Sequence, residues 1–219
     1  PGRDEVSAPG QGRPQARRAA GRRVLVALAA SGLPLAALWP TASWPAPAST
    51  QPAEVALPAA RSQGAVSLEA ALAQRRSLRS FAAAPLTAAE VGQLLWAAQG
   101  ETSAQGRRTA PSAGATYPLV LYLVAARIEG VPAGVYRYRP PDHRLLTVAA
   151  GDVPAQVAAT ARGQAWLAQA PALVVVATEP SRTEARYGAR AERYVAIEAG
   201  AAAQNLLLQA AALGLGGTL

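Results

Sequence analysis

Apolar and polar positions alternate along most of the chain with periods that define its elements. Ser67 is placed to cap a helix over residues 68–76, with Leu68 and Leu72 on one face at i, i+4 spacing. Thr87-Ala88-Ala89-Glu90 has the form of a capping box, in which a Thr hydroxyl and a Glu carboxylate satisfy each other's backbone N–H. It predicts a second helix from Ala88 to about Gln99, ended by Gly100, with Val91, Leu94, Leu95 and Ala98 as its apolar stripe. Leu119–Ala125 reads as a strand, followed by a turn at Glu129-Gly130. Short strands at Val135–Tyr138 and Leu145–Val148 flank Pro140-Pro141-Asp142. Asp152 caps a predicted helix through Ala161. Ala172–Thr178 is an unbroken apolar run, the pattern of a strand buried on both faces. Thr183 to Leu213 lacks proline, and Ile197, Ala201, Gln204, Leu208 and Ala212 recur at near-helical spacing, which predicts a buried central helix. Strands and helices rarely alternate as βαβ units, so the fold class expected is α+β.

The front of the chain follows another logic. Arg22-Arg23-Val24-Leu25-Val26 opens an apolar stretch that lasts to Trp39, and Ala46-Pro47-Ala48 follows. A basic segment, an apolar core and an A-x-A site in that order predict an export signal over residues 1–48. The stretch is broken by Gly32 and Pro34 and is short for a bilayer span, so no stable membrane span is expected. The arginine pair resembles a twin-arginine signal, which places the mature protein in the periplasm or outside the cell. A disordered Ala/Pro/Arg tail on a cytoplasmic protein is the alternative. Residues 49–65 read as a Pro/Ala-rich linker, and the folded domain is expected from Val66 to Leu219.

Composition narrows the chemistry. All 21 basic residues are Arg, there is no Cys, and His143 is the single histidine. Thiolate and His-cluster metal sites, disulfides and cysteine nucleophiles are excluded, and a histidine-based triad is improbable. An enzyme of this composition needs a cofactor for difficult chemistry. The net charge of +8 is uneven: six Arg against Asp4 and Glu5 lie within residues 1–23. From residue 61 onward fifteen Arg are scattered among ten acids, without interleaved aromatics, so no nucleic-acid partner is expected.

Two loops carry chemistry suited to anions and flat ligands. Arg75-Arg76-Ser77-Leu78-Arg79-Ser80-Phe81 gathers three guanidiniums and two hydroxyls just past a helix end. Arginine grips phosphate oxygens bidentately, whereas the plain alternative is a basic helix end that complements the dipole. Arg107 to Pro118 contains the small-residue run Ser112-Ala113-Gly114-Ala115-Thr116, which permits close approach of backbone to a ligand. Turns use the same residue types, so the run alone does not define a site.

Taken in order, these segments resemble the nitroreductase family of flavoenzymes. Arg-Arg-Ser-x-Arg-x-Phe is similar to its entry motif, and Thr109-Ala110-Pro111-Ser112-Ala113-Gly114-Ala115-Thr116-Tyr117-Pro118 to the signature of its SagB-type dehydrogenase branch. Gly134-Val135-Tyr136-Arg137-Tyr138, Tyr187-Gly188-Ala189-Arg190 and Glu198-Ala199-Gly200-x-x-x-Gln204-Asn205-Leu206 extend the likeness over about residues 66–219. The resemblance implies a mixed or antiparallel sheet packed with helices around the long helix, and a homodimer with FMN at the subunit interface. Matched onto this chain, Arg75, Arg76, Ser77 and Arg79 would hold the phosphate and ribityl chain. Pro111, Ser112, Ala113, Gly114 and Ala115 would lie against the isoalloxazine ring. Gln204 and Asn205 would line the site or satisfy buried backbone groups.

Azole-forming members of the branch use a Lys-Tyr pair, where this chain has Arg186-Tyr187. Arginine keeps the charge but does not serve as a general base, while Tyr187 can still donate or relay a proton. The family pattern also continues past Gly214–Gly217, so the C-terminal end is expected to be missing from the chain as given. The implied function is an FMN-dependent oxidoreductase acting on a small molecule or a modified peptide, with NAD(P)H as a candidate electron donor. Azoline-to-azole oxidation and reduction of nitro compounds or quinones are its two forms. A flavin-less scaffold that keeps the fold is the reading from another class.

Overall fold

The computed structural model describes residues 53–151 and 164–219, together with the backbone of Leu25–Leu28. The helix expected over Asp152–Ala161 and, apart from Leu25–Leu28, the export signal lie outside the described residues.

Six strands form one sheet: β1 (Leu25–Leu28), β2 (Glu54–Ala56), β4 (Leu119–Ala125), β6 (Gly134–Arg139), β7 (Arg144–Ala150) and β8 (Ala172–Thr178). Their order is β1-β8-β4-β6-β7-β2, antiparallel throughout except for the parallel pair β1–β8. A second, two-stranded parallel sheet joins β3 (Leu86–Thr87) to β5 (Ile128–Glu129). The helices are α1 (Leu68–Gln74), α2 (Ala88–Gln99), α3 (Ser181–Tyr187) and α4 (Ala191–Ala212). This is the α+β architecture expected from the sequence.

The central strands β4 and β8 are covered on both faces, as their unbroken apolar runs require. Leu119, Leu121 and Leu123 of β4 join Val174 and Val176 of β8 in the main core with α2 and α4. Val124 and Leu173 point to the other face, against Leu167 and Ala170. Helix α2 starts where the capping box put it. The Thr87 hydroxyl accepts from the Glu90 N–H at 3.2 Å, and the Thr87 N–H donates to the Glu90 carboxylate at 2.7 Å.

Three sequence expectations are corrected. The stretch Thr183–Leu213 is two helices, because Gly188 adopts φ +53° and a 3-10 turn at Gly188–Arg190 separates α3 from α4. On α4 the buried face is Val195, Glu198, Ala199, Ala202, Ala203, Leu206, Leu207 and Ala210. The stripe Ile197–Ala201–Gln204–Leu208 lies outward of it, with Ile197 62% exposed. In a helix this rich in alanine, apolar contrast around the cylinder is weak, so periodicity fixes its existence better than its phase. Finally, α1 ends at Gln74 rather than at residue 76, and the face that Leu68 and Leu72 share is 61% and 51% exposed at those two positions.

The segment read as linker enters the fold at Glu54. Strand β2 pairs with β7, and Leu57 is buried in the main core. Glu54 also ties that sheet edge to Arg139 and Arg144, an exposed ion-pair cluster shared with Asp142. His143 is half-buried in the left-handed conformation. Its Nδ1 lies 2.8 Å from the Tyr138 hydroxyl, and its backbone carbonyl accepts from the Leu57 N–H. Burial pulls its imidazole below the usual histidine range and pushes the Tyr138 phenol up. Among the described residues no helix is long and apolar enough to cross a membrane.

Candidate functional site

The two loops singled out in the sequence meet different parts of α4. The small-residue loop leaves α2 at Gly100 and is fastened at its base. The Thr109 N–H donates to the Gly100 carbonyl, and its hydroxyl donates to the Trp96 carbonyl at 3.0 Å. Its own carbonyl accepts from Asn205 Nδ2 at 3.3 Å. Asn205 therefore satisfies loop backbone, while Gln204 beside it is exposed.

Beyond this base the loop takes an unusual path. Gly114, Ala115 and Tyr117 all have positive φ, at +59°, +53° and +46°. Left-handed Ala and Tyr are costly, so the surroundings must enforce them. Several contacts do so: the Tyr117 N–H donates to Ser112 Oγ at 2.9 Å, and the Arg108 guanidinium stacks 4.6 Å over the Tyr117 ring. Helix α3 clamps the other side. Arg182 donates to the Tyr117 carbonyl at 3.1 Å, Thr183 Oγ1 lies 2.9 Å from Thr116 Oγ1, and Arg186 donates to the Gly114 carbonyl at 3.2 Å.

The positions matched to a catalytic pair thus sit directly on the small-residue loop. A Cβ on Gly114 would come within 2.7 Å of the Tyr187 hydroxyl and 2.9 Å of Arg186 Cδ. Tyr187 stacks edge-on against Tyr194 at 4.9 Å. Pro111, Gly114 and Ala115 are exposed above this framework, and Ser112 and Ala113 are half-buried. Small exposed residues on a fixed backbone, flanked by a guanidinium and a phenol, offer a platform for a flat polar ligand.

One polar side chain here appears in the sequence reading only as part of a motif, with no site role assigned to it. Glu198 is only 3% exposed, on the inward face of α4 beneath the loop. Neither carboxyl oxygen reaches a partner in good hydrogen-bond geometry, although the Ser112 hydroxyl and the Ala113 N–H both face it. Desolvation pushes its carboxyl up, against the pull of Ser112, Ala113 and the charge on Arg108. Arg108 in turn donates to Gln99 Oε1 at 2.9 Å, and burial pulls its guanidinium down. The signal for Glu198 was present: it falls at helical spacing with Val195, Ala202 and Leu206, a carboxylate on a buried stripe.

The arginine loop lies toward the other end of α4. Arg75 and Arg76 line a cleft of about 180 Å³ with Leu207, Ala211, Gly214 and Gly217, and no carboxylate lines it. Its floor is pinned by the Leu78 N–H donating to the Gly217 carbonyl. Arg75 is half-buried, whereas Arg76, Ser77 and Arg79 are exposed. Arg76 donates to the carbonyls of Ala73 and Arg75, capping the end of α1, and Arg79 lies 5.8 Å over the Trp166 ring. From Glu198 to Leu207 is nine residues of helix, about 14 Å of rise, so α4 holds the two loops apart within one chain.

An α+β fold with an arginine-lined cleft and a small-residue loop on one long helix is that of the nitroreductase-type oxidoreductases. The chain belongs to the nitroreductase family, whose sequence profile matches residues 72–219. It is 42% identical over 151 residues to a protein of Methanocaldococcus jannaschii carrying the provisional name nitroreductase, covering 69% of this chain and 76% of that one. A nitroreductase-like protein of Ralstonia eutropha, known as a crystal structure, superposes with a TM-score of 0.64 at 32% identity, covering 76% of this chain and 78% of the other. A structure from Anabaena variabilis shares the fold at 23% identity and a TM-score of 0.62, with 75% of this chain matching 35% of that protein.

Proposed function

We propose that this protein is an FMN-dependent oxidoreductase of the SagB-type branch, exported through a twin-arginine-like signal and active as a homodimer. The observation that carries the flavin reading is the carboxylate-free cleft of Arg75 and Arg76. Its donor set suits a dianionic phosphate, held by guanidiniums rather than by a helix dipole. In this reading Arg75, Arg76, Ser77 and Arg79 take the phosphate and ribityl chain, and Pro111 to Ala115 face the ring. When bound, FMN supplies reversible two-electron chemistry, which this protein's own side chains lack.

The separation of the two loops along α4 supports a site assembled from two copies. A second copy also accounts for the outward apolar stripe of α4 and for exposed Leu68 and Leu72. Arg186 donates to the Gly114 carbonyl and so orients the loop, leaving Tyr187 as the proton-handling group at the substrate face. Without a general base beside the tyrosine, reduction of an acceptor with NAD(P)H as donor is favoured over azoline oxidation. Gln204, exposed on the outer stripe, is assigned to contact across the dimer rather than to the ring.

The visible absorption spectrum of the purified chain, with the released chromophore identified after denaturation, tests this reading. Flavin bands and released FMN are expected. A colourless protein that also fails to bind added FMN would overturn it in favour of a flavin-less scaffold. Turnover of NAD(P)H with a quinone then distinguishes reductase from dehydrogenase.

A further inference from the structure

Four buried polar atoms beneath the ligand loop lack a hydrogen-bond partner: Gln99 Nε2, Arg108 Nε and both carboxyl oxygens of Glu198. Gln99 is 1% exposed, and it is joined to Arg108 by the bond between Arg108 Nη1 and Gln99 Oε1. Donors thus lie on the α2 side and acceptors on α4. The loop passes above Glu198 just before its left-handed residues Gly114, Ala115 and Tyr117, and Ser112 and Ala113 face the carboxyl. Buried polar groups are retained at a cost unless they hold something in place.

We infer that Glu198 is a positioning residue: from the buried face of α4 it holds, through Ser112 and Ala113, the left-handed stretch that presents the loop to its ligand. Ser112 Oγ already accepts from the Tyr117 N–H, so its own hydrogen is available to the carboxyl. The Ser112 side chain thereby ties the residue ahead of the strained stretch to Tyr117 at its far end. Arg108 closes the arrangement by stacking on Tyr117 while its charge faces Glu198. Burial favours the neutral carboxyl, whose shape glutamine reproduces. The inference rests on the flavin reading for what the loop carries, but its mechanical content does not need the cofactor.

Hydrogen exchange of the full chain without FMN is the test. Glu198→Ala should speed exchange at the amides of 112–117 by about tenfold, as the loop loses the buried carboxyl that Ser112 and Ala113 face, with the β4 amides unchanged. Glu198→Gln should restore protection to within about threefold of the parent. Unchanged loop protection in Glu198→Ala would overturn the inference, as would a Gln variant as fast as the Ala variant. If Glu198→Ala does not fold, Ser112→Ala removes the contact from the loop side. Local loosening there supports the inference, and unaltered exchange sinks it. FMN titration is read separately: a parent chain that binds no FMN, with the exchange result intact, would refute the flavin reading alone.

Discussion

The two ends of α4 solve the problem of holding a ligand in opposite ways. At the N-terminal end the loop is built before any ligand arrives: three consecutive-region positive φ values are enforced by Ser112, Arg108 and three contacts from α3. At the C-terminal end, Arg76 is engaged by its own helix end and Arg79 by Trp166. They can be released to an anion at little cost, because those contacts are exposed and weak. One end supplies shape and the other supplies charge. Rigid placement matters where a ring must be oriented, while guanidiniums can adapt around a phosphate.

Breaking the rigid end at its root should give the largest effect. A Cβ on Gly100 would meet the Trp96 ring at 2.1 Å and the Trp96 carbonyl at 2.7 Å, and a backbone atom cannot swing aside. Gly100→Ala is expected to cost about 3 kcal/mol, lowering Tm by about 6–12 °C in a thermal scan. A Tm within a degree or so of the parent would show that the loop is not seated through Gly100.

The adaptable end should lose ligand without losing stability. Arg75→Ala is expected to weaken FMN about thirtyfold, or about 2 kcal/mol, with Tm unchanged. Fluorescence titration checks it, and equal affinity would remove Arg75 from the phosphate site. Returning to the rigid end, Thr183→Val deletes the buried hydroxyl against Thr116 and should cost about 1 kcal/mol in chemical denaturation. A stabilised variant would contradict the clamp by α3.

The smallest effect is one of pH and belongs to neither end. His143 is held neutral by burial, so its folded-state value lies below the ordinary 6.5. The folded state then binds fewer protons than the unfolded state, and stability contributed by neutral His143 is lost as pH falls from 6.5 through that lower value. As the protein's single histidine, its ring resonance can be titrated directly by NMR. A midpoint at or above 6.5 would disprove the burial argument.

The sequence made elements legible wherever a local interaction decides them. Thr87 and Glu90 fix the start of α2 by their own hydrogen bonds, and the apolar runs of β4 and β8 can be satisfied only between two layers. It was less informative where contrast is low. The phase of α4 was misread by two positions because alanine is spread around the helix, and this hid Glu198 on the buried side. Gly188 looked like a helix residue, although its positive φ turns the chain between α3 and α4. The site divided similarly. Residue types announced both loops, but the use of Arg76 and Arg79 in local contacts, and of Arg186 on a loop carbonyl, depends on three-dimensional neighbours that spacing does not encode.

Gln93 has a bearing on which lengths of chain this fold tolerates. Its side-chain amide accepts from the Arg61 N–H at 2.8 Å and donates to the Arg61 carbonyl at 3.0 Å, reading one residue as a neighbouring strand would. A further donation to Gln209 Oε1 at 3.2 Å fixes the amide against α4. Four residues earlier the Leu57 N–H is hooked to the His143 carbonyl. Between these two hooks the chain is measured out, so an insertion or deletion there would unfasten one of them. Residues 62–65 follow in open solvent, with nothing within 4 Å of a Cβ on Gly64, and added length there would simply loop outward.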